Sequence, residues 1–205
     1  MPRDKDLKRL IRDRMADSGQ RYTEARAHLL NSQPQRRLKS WIMAGSNPGS
    51  YEFGLDQGAD YKGSRVVFLQ SRTPDASGFG TMMQVIAPDD FRDKRVRLSG
   101  FVWGHDVSGW AGLWMRVDGQ GLGETLGLDD MSTRPLTGSF DWRRAEVVLD
   151  VPGEARLIAF GALLHGPGLL RLADLRFEAV SSSVPTTAER HQTRRPQNLD
   201  FSELV

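Results

Sequence analysis

The residues best suited to binding chemistry lie between Arg97 and Gly119, in the stretch RLSGFVWGHDVSGWAGLWMRVDG. Small and aliphatic residues alternate here with larger ones, which predicts two β-strands that each turn one apolar face to the core. The opposite faces then carry the aromatic side chains of Phe101, Trp103 and Trp114. Flat aromatic rings stack on sugar rings, nucleobases and other flat ligands, so this stretch predicts a ligand-binding surface.

We predict that several strands contribute side chains to one concave ligand-binding face. Charged and amide side chains beside the rings would orient a polar ligand by hydrogen bonds. Two alternatives stay open: the N-terminal helices or the C-terminal segment cover these aromatics and complete the core, or the face is a self-interface or partner surface. The predicted ligand-binding residues are Trp103, Trp114, Arg116, Gln84, Phe101 and His105.

The sequence offers little that indicates catalysis. The four histidines lack the spacing of metal ligands, and no phosphate loop, nucleophile elbow, dinucleotide fingerprint or zinc pattern occurs. His105 and Asp106 are adjacent and could form an acid–base couple near the cleft, but a solvated loop pair is the favoured interpretation. We predict no catalytic residue, no metal site and no cofactor, and we keep an enzyme with a cleft at the aromatic face as an alternative.

Short alternating runs separated by Gly, Pro, Asp and Asn extend from Trp41 to Val180. They predict a mainly β protein, an antiparallel β-sandwich (jelly roll) of about ten strands over residues 41–180. An α-helical hairpin is predicted at 1–32 and a polar linker at 33–40. Residues 181–205 are predicted to be a flexible tail whose last part, NLDFSELV at 198–205, either docks as an extra strand or clamp or stays disordered.

The N-terminal arm is amphipathic and basic. Residues 1–40 hold 11 Lys and Arg against 5 Asp and Glu, whereas the whole chain has a net charge of +2. The basic residues Lys8, Arg9, Arg12 and Arg14 are the candidates for contacts with nucleic-acid phosphates. Acidic residues are interleaved with them, so an ordinary solvated helix face is the favoured alternative.

Composition indicates a cytoplasmic protein. The 205 residues include no cysteine, which excludes disulfides and thiolate metal sites and is compatible with a reducing compartment. The charged N-terminus lacks the apolar core of a signal peptide, and no apolar run approaches the roughly 20 residues that span a bilayer. We therefore predict no membrane partner, and a homodimer is left open.

Five motifs carry a resemblance to a known family: YEFGLD, GSRVVFLQS, KRVRLSGFV, FDWRRAEVVLDVP and above all GLLRLADLRFE. Together they resemble the carbohydrate-binding-module type of galactose-binding-like jelly roll, over about two thirds of the chain. The resemblance implies a two-sheet sandwich with one concave face where members hold sugars against aromatics. In the last motif many members carry an aromatic and a pair of acids, whereas this chain has Arg171, Ala173 and Asp174. This departure weakens the transfer of sugar binding and of the structural calcium site common in such modules.

The layout of helical arm, jelly roll and NLDF-like end is similar to bacterial proteins commonly labelled transcriptional regulators, sometimes of the AraC type. An AraC-type DNA-binding region has two helix-turn-helix units, which a 40-residue arm cannot hold. We therefore predict a non-enzymatic intracellular binding protein whose concave face binds a polar small molecule or carbohydrate-like ligand. The alternative is a DNA-associated transcriptional regulator that acts through the basic N-terminal helices.

Overall fold

Alternating apolar residues build nine antiparallel strands in the computed structural model, which describes residues 38–188. A mainly β, antiparallel protein is thus confirmed, whereas the predicted helical hairpin at 1–32 lies outside the described residues. No helix within residues 38–188 has both the length and the apolar character needed to cross a membrane. The strands are β1 (Ile42–Gly45), β2 (Tyr51–Tyr61), β3 (Ser64–Ser71), β4 (Phe79–Ile86), β5 (Lys94–Asp118), β6 (Thr125–Asp129), β7 (Leu136–Val151), β8 (Leu157–His165) and β9 (Leu169–Val180).

The stretch predicted as two strands is a single strand, β5, of 25 residues. Its first part, as far as His105, pairs with β9 and with most of β7, whereas its last part, from Trp110 onward, pairs with β8 and β6 and keeps one pair with β7, Ala111 with Leu136. Between the two parts Asp106 has a positive φ of 50°, and the pairing register shifts. Strand β5 therefore bends and belongs to both layers of the fold.

Two layers of five strands share β5 and enclose the core between them. The first layer runs β2–β3–β9–β5–β7 and the second runs β1–β4–β8–β5–β6. Because the inner faces of both layers meet in one core, their outer faces point to opposite sides of the molecule. The core residues that β5 contributes are Val96, Leu98 and Val102 from its first part and Leu113, Met115 and Val117 from its last part.

A cluster of polar side chains, Asp129, Arg134 and Thr187, connects β6 to β7, and we call it the polar lock. The side chain of Asp129 at the end of β6 is only 4% exposed, and its Oδ2 lies 2.6 Å from Nη2 of Arg134. Arg134 also donates to the backbone oxygen of Glu146 on β7, at 3.1 Å. Thr187 donates its hydroxyl to Asp129 and accepts the N–H of Val148 at 2.7 Å. The segment after β9 is therefore fixed along β7 as far as residue 188, where Ala188 packs on the core.

A tight hairpin joins β2 to β3. Its two turn residues, Lys62 and Gly63, have φ values of 52° and 81°, the left-handed pair that a two-residue type I′ turn requires. The pairing register of the hairpin shifts between Asp56 and Asp60, which marks a bulge. The hairpin tip therefore bends out of the first layer.

Candidate ligand-binding site

Cross-strand register places Phe101 and Trp103 in two neighbouring rows on the outer face of the first layer. Their chain neighbours Val102 and Gly104 are buried, so the two aromatic side chains point away from the core and are half-buried. One row consists of Arg144, Phe101, Ala173, Val66 and Asp56, and the next of Trp103, Arg171, Phe68 and Gly54.

Tyr61 at the hairpin tip reaches across this outer face. Its ring centroid lies 4.9 Å from that of Phe101 and 4.5 Å from that of Trp142. Strand β2 is three strands away from β5, or about 14 Å at the usual strand spacing, so the hairpin has to arch over β3 and β9. We call the surface formed by Tyr61, Phe101, Trp103 and Trp142 the aromatic face.

Charged groups hold Trp103 in place. The guanidinium carbon of Arg171 lies 4.6 Å from the centroid of the Trp103 ring, a cation–π contact. The Nε of Arg171 donates to Oδ2 of Asp56 at 2.8 Å, and these two side chains are only 24% and 13% exposed. The His105 ring also lies nearly parallel to Trp103, at 17° and 5.9 Å between centroids. Trp103 is thus a ring of the aromatic face that contacts two polar side chains.

The side chains of His105 and Asp106 lie close together at the edge of this face, with Nε2 and Oδ2 3.3 Å apart. Their side chains are 58% and 78% exposed, so the pair is solvated. The hydroxyl of Ser139 donates to Asp106 at 3.1 Å and further fixes the bend of β5. Within residues 38–188, no three His, Asp or Glu side chains come together as a group able to hold a metal ion.

Trp114 lies on the outer face of the second layer, on the opposite side of the molecule from Trp103. Its indole is buried, and its Nε1 donates to Oγ1 of Thr81 at 2.7 Å. Arg116 lies two residues further along the same face and pairs with Asp118 at 2.9 Å. The prediction that these residues share one face with Trp103 is wrong, because β5 crosses from one layer to the other between them.

The indole of Trp114 lies across β8 to reach Thr81 on β4, and Gly161 is the β8 residue in register with Trp114. A Cβ added at Gly161 would lie 2.0 Å from the backbone oxygen of Met82, which cannot move aside as a side chain can. We expect Gly161→Ala to lower the free energy of unfolding by about 1–3 kcal/mol, measured by chemical denaturation. Gly127→Ala is the matched control, because its nearest contact is an ordinary 3.7 Å. Equal stability of the two variants would contradict this account.

Two more side chains lie elsewhere than predicted. Gln84 is in register with Phe160, which is buried in the core cluster, so Gln84 is on the inner side of the second layer and does not join Trp103. The alternation in FDWRRAEVVLDV indicates a core position for Trp142, and this interpretation is also wrong. It is half-buried and lies on the aromatic face against Tyr61.

Sequence reasoning missed Tyr61, Lys62, Asp56 and Arg171 as members of the site. The Lys62-Gly63 pair was the available signal, because a glycine in that position between two strands is typical of a tight hairpin. Alternation predicts a strand over Tyr51 to Leu55 only, whereas β2 continues to Tyr61 and carries this side chain over the sheet. The nucleic-acid candidates Lys8, Arg9, Arg12 and Arg14 lie outside the described residues.

No protein-family model matches this chain. The chain is 38% identical over 173 residues to a Bacillus subtilis (strain 168) protein named uncharacterized HTH-type transcriptional regulator YbfP. The matched region covers 82% of this chain and 58% of that protein. The chain thus spans a little over half of the length of its curated relative.

Among solved structures, the enzymatically active domain of bacteriophage CBA120 tailspike protein 4 has a TM-score of 0.50 and 11% identity, over 69% of this chain and 20% of that one. This likeness concerns the fold alone. The xylan-binding CBM22-1 domain of Paenibacillus barcinonensis Xyn10C has a TM-score of 0.48 and 15% identity, over 70% and 87% of the two chains. A family 16 carbohydrate-binding module has a TM-score of 0.49 and 13% identity, over 65% and 92%. The chain is thus similar in sequence to a protein named as a transcriptional regulator and in structure to carbohydrate-binding modules.

Proposed function

We propose that this protein binds a saccharide-like ligand on the aromatic face and does not convert it chemically. The observation that carries the proposal is that Phe101, Trp103 and Trp142 are half-buried on the outer face of the first layer and lie outside the core cluster. Clustered rings that remain partly exposed on a rigid sheet are typical of binding surfaces.

The polar neighbours of Trp103 support a ligand that is apolar on one side and polar at its edges. Arg171 is fixed by Asp56, and Gln70 donates its amide to Glu52 at 2.6 Å on the same layer. Such anchored groups are ready to orient hydroxyl groups, while the ring beneath contacts the flat C–H side of a sugar. The jelly-roll form of the sandwich belongs to the same proposal. So does a location in the bacterial cytoplasm, which the Bacillus relative and the absence of cysteine support.

Titration of the full chain with a panel of soluble neutral and acidic oligosaccharides tests this function. We expect saturable binding by calorimetry, together with a change in tryptophan fluorescence, because Trp103 and Trp142 lie on the aromatic face. Absence of binding by every sugar, while circular dichroism shows an intact β fold, would contradict the proposal.

A second candidate function is that of a DNA-associated regulator, with the aromatic face as its sensor. The name of the Bacillus relative favours it, and Lys8, Arg9, Arg12 and Arg14 are the residues proposed to contact phosphates. Each phosphate contact releases counterions, so such binding weakens steeply with salt.

Fluorescence anisotropy with a labelled 30-base-pair duplex (a length of about three helical turns) at two salt concentrations tests the regulator function. A variant with Lys8, Arg9, Arg12 and Arg14 all changed to Gln is expected to reduce the logarithmic salt slope by about 3–4. A slope unchanged by the four substitutions would remove the arm from the proposal.

A further inference from the structure

We propose that the ligand of the aromatic face is acidic, a uronate-type saccharide whose carboxylate is held by Arg171 and Lys62. This inference rests on the proposed function and adds the chemical class of the ligand. It is carried by the unused hydrogen-bonding capacity of Arg171, by the position of Lys62, and by the charge balance between them.

Arg171 presents an unused fork of donors beside Trp103. Its Nε is bound to Asp56 at 2.8 Å, and its guanidinium lies flat enough on Trp103 for a 4.6 Å cation–π contact. Within residues 38–188, neither Nη1 nor Nη2 of Arg171 makes a hydrogen bond. A guanidinium that is only 24% exposed and fixed on two sides is preorganised, and its two terminal nitrogens match the two oxygens of a carboxylate.

Lys62 supplies a second positive charge over the same face. Its Nζ lies 5.3 Å from the ring centroid of Tyr61 and 5.8 Å from that of Phe101. Among the described residues, no carboxylate oxygen lies within 4.0 Å of this nitrogen. Phe101 and Trp103 are two residues apart on β5, about 7 Å along the strand, so Lys62 and Arg171 flank one ligand-sized area.

In the part of the chain that the structure describes, only one of the two cations beside this area has a carboxylate in contact with it. Asp56 pairs with Arg171, whereas Asp60 at the base of the turn accepts the N–H of Gly63 at 3.0 Å. Within residues 38–188, the ammonium group of Lys62 contacts aromatic rings and no carboxylate. A carboxylate on the ligand would complete this arrangement, whereas a neutral sugar would leave the ammonium group without a counter-charge in contact.

Two matched ligand pairs test the inference with the full chain: trigalacturonate and triglucuronate, each against its fully methyl-esterified form. The esters keep the rings and lose the charge. We expect at least one acid to bind at least 10-fold more tightly than its ester by calorimetry, with a preference that decreases as salt is added. Equal affinity of acids and esters, or binding of neutral sugars alone, would overturn the inference and leave the proposed function standing. Absence of binding by the esters, the acids and the neutral sugars alike would overturn both the inference and the proposed function.

Three variants test whether Lys62 and Arg171, rather than other surface cations, cause the preference for the acid over its ester. We expect Lys62→Gln to reduce the preference for the acid about 5-fold, and Arg171→Lys, which keeps the charge but loses the fork, to reduce it about 10-fold. Arg156→Gln, an exposed arginine ahead of β8 in the second layer, is the control and is expected to leave the preference unchanged. Unchanged preference in both site variants, with normal thermal unfolding, would overturn the assignment of Arg171 and Lys62.

Discussion

Replacing Arg134 with methionine is expected to lower the free energy of unfolding by about 3–5 kcal/mol. In the native protein, the carboxylate of Asp129 accepts hydrogen bonds from Nη1 of Arg134 at 3.0 Å and from Nη2 at 2.6 Å, and its side chain is almost fully buried. Without the guanidinium, a buried carboxylate would keep only the N–H of Met131 and the hydroxyl of Thr187 as donors. Urea denaturation followed by circular dichroism measures the loss.

A double variant distinguishes the lost ion pair from a general packing defect. Adding Asp129→Asn to Arg134→Met removes the unpaired charge, so we expect it to recover a large part of the lost stability. A single Arg134→Met variant that loses less than about 1 kcal/mol would contradict the buried lock and would place the pair among weak surface ion pairs.

The lock also explains how the segment after β9 is held without a strand of its own. Thr187 exchanges backbone and side-chain hydrogen bonds with Val148, and Arg95 donates to the backbone oxygen of Ser182 at 2.7 Å. Strand β7 is at the edge of the first layer, so these bonds satisfy backbone groups that would otherwise be exposed. Breaking the lock is therefore expected to free this segment together with the β6–β7 contact.

The strands were predictable because alternation is a local property. Residues such as Val96, Leu98 and Val102 already show by their spacing which side of a strand is apolar. The bend in β5 is not predictable in this way, because local alternation predicts two separate strands here. The tertiary pairing with β7 on one side of the bend and β8 on the other makes them parts of one strand.

The site was only partly predictable for the same reason. Phe101 and Trp103 were recognised from their place opposite the core residues of β5. Alternation cannot tell on which outer side of a two-layer fold a face lies, so Trp114 was assigned to the wrong one. Tyr61 reaches the site through a bulge and a turn that carry it over β3 and β9, and its contact with Phe101 joins residues distant in sequence.

Replacing Trp103 with alanine is expected to weaken saccharide binding by about 2 kcal/mol, or about 30-fold in Kd, because it removes the aromatic ring that Arg171 and His105 contact. Trp103 is half-buried and lies outside the core cluster, so we expect the variant to remain folded. Calorimetric titration with the tightest-binding sugar gives the change in Kd, and thermal unfolding verifies the fold.

The control for this variant is Trp114→Phe on the opposite side of the molecule. It removes the Nε1 hydrogen bond to Thr81 from a buried ring, so we expect about 1 kcal/mol lower stability and an unchanged Kd. The two tryptophans lie on the same strand only 11 positions apart in the sequence, yet they are expected to affect different properties. The reverse result, with Kd changed by Trp114→Phe and not by Trp103→Ala, would move the site to the second layer. It would then rest on Trp114 and Arg116, two of the six ligand-binding residues that the sequence predicts.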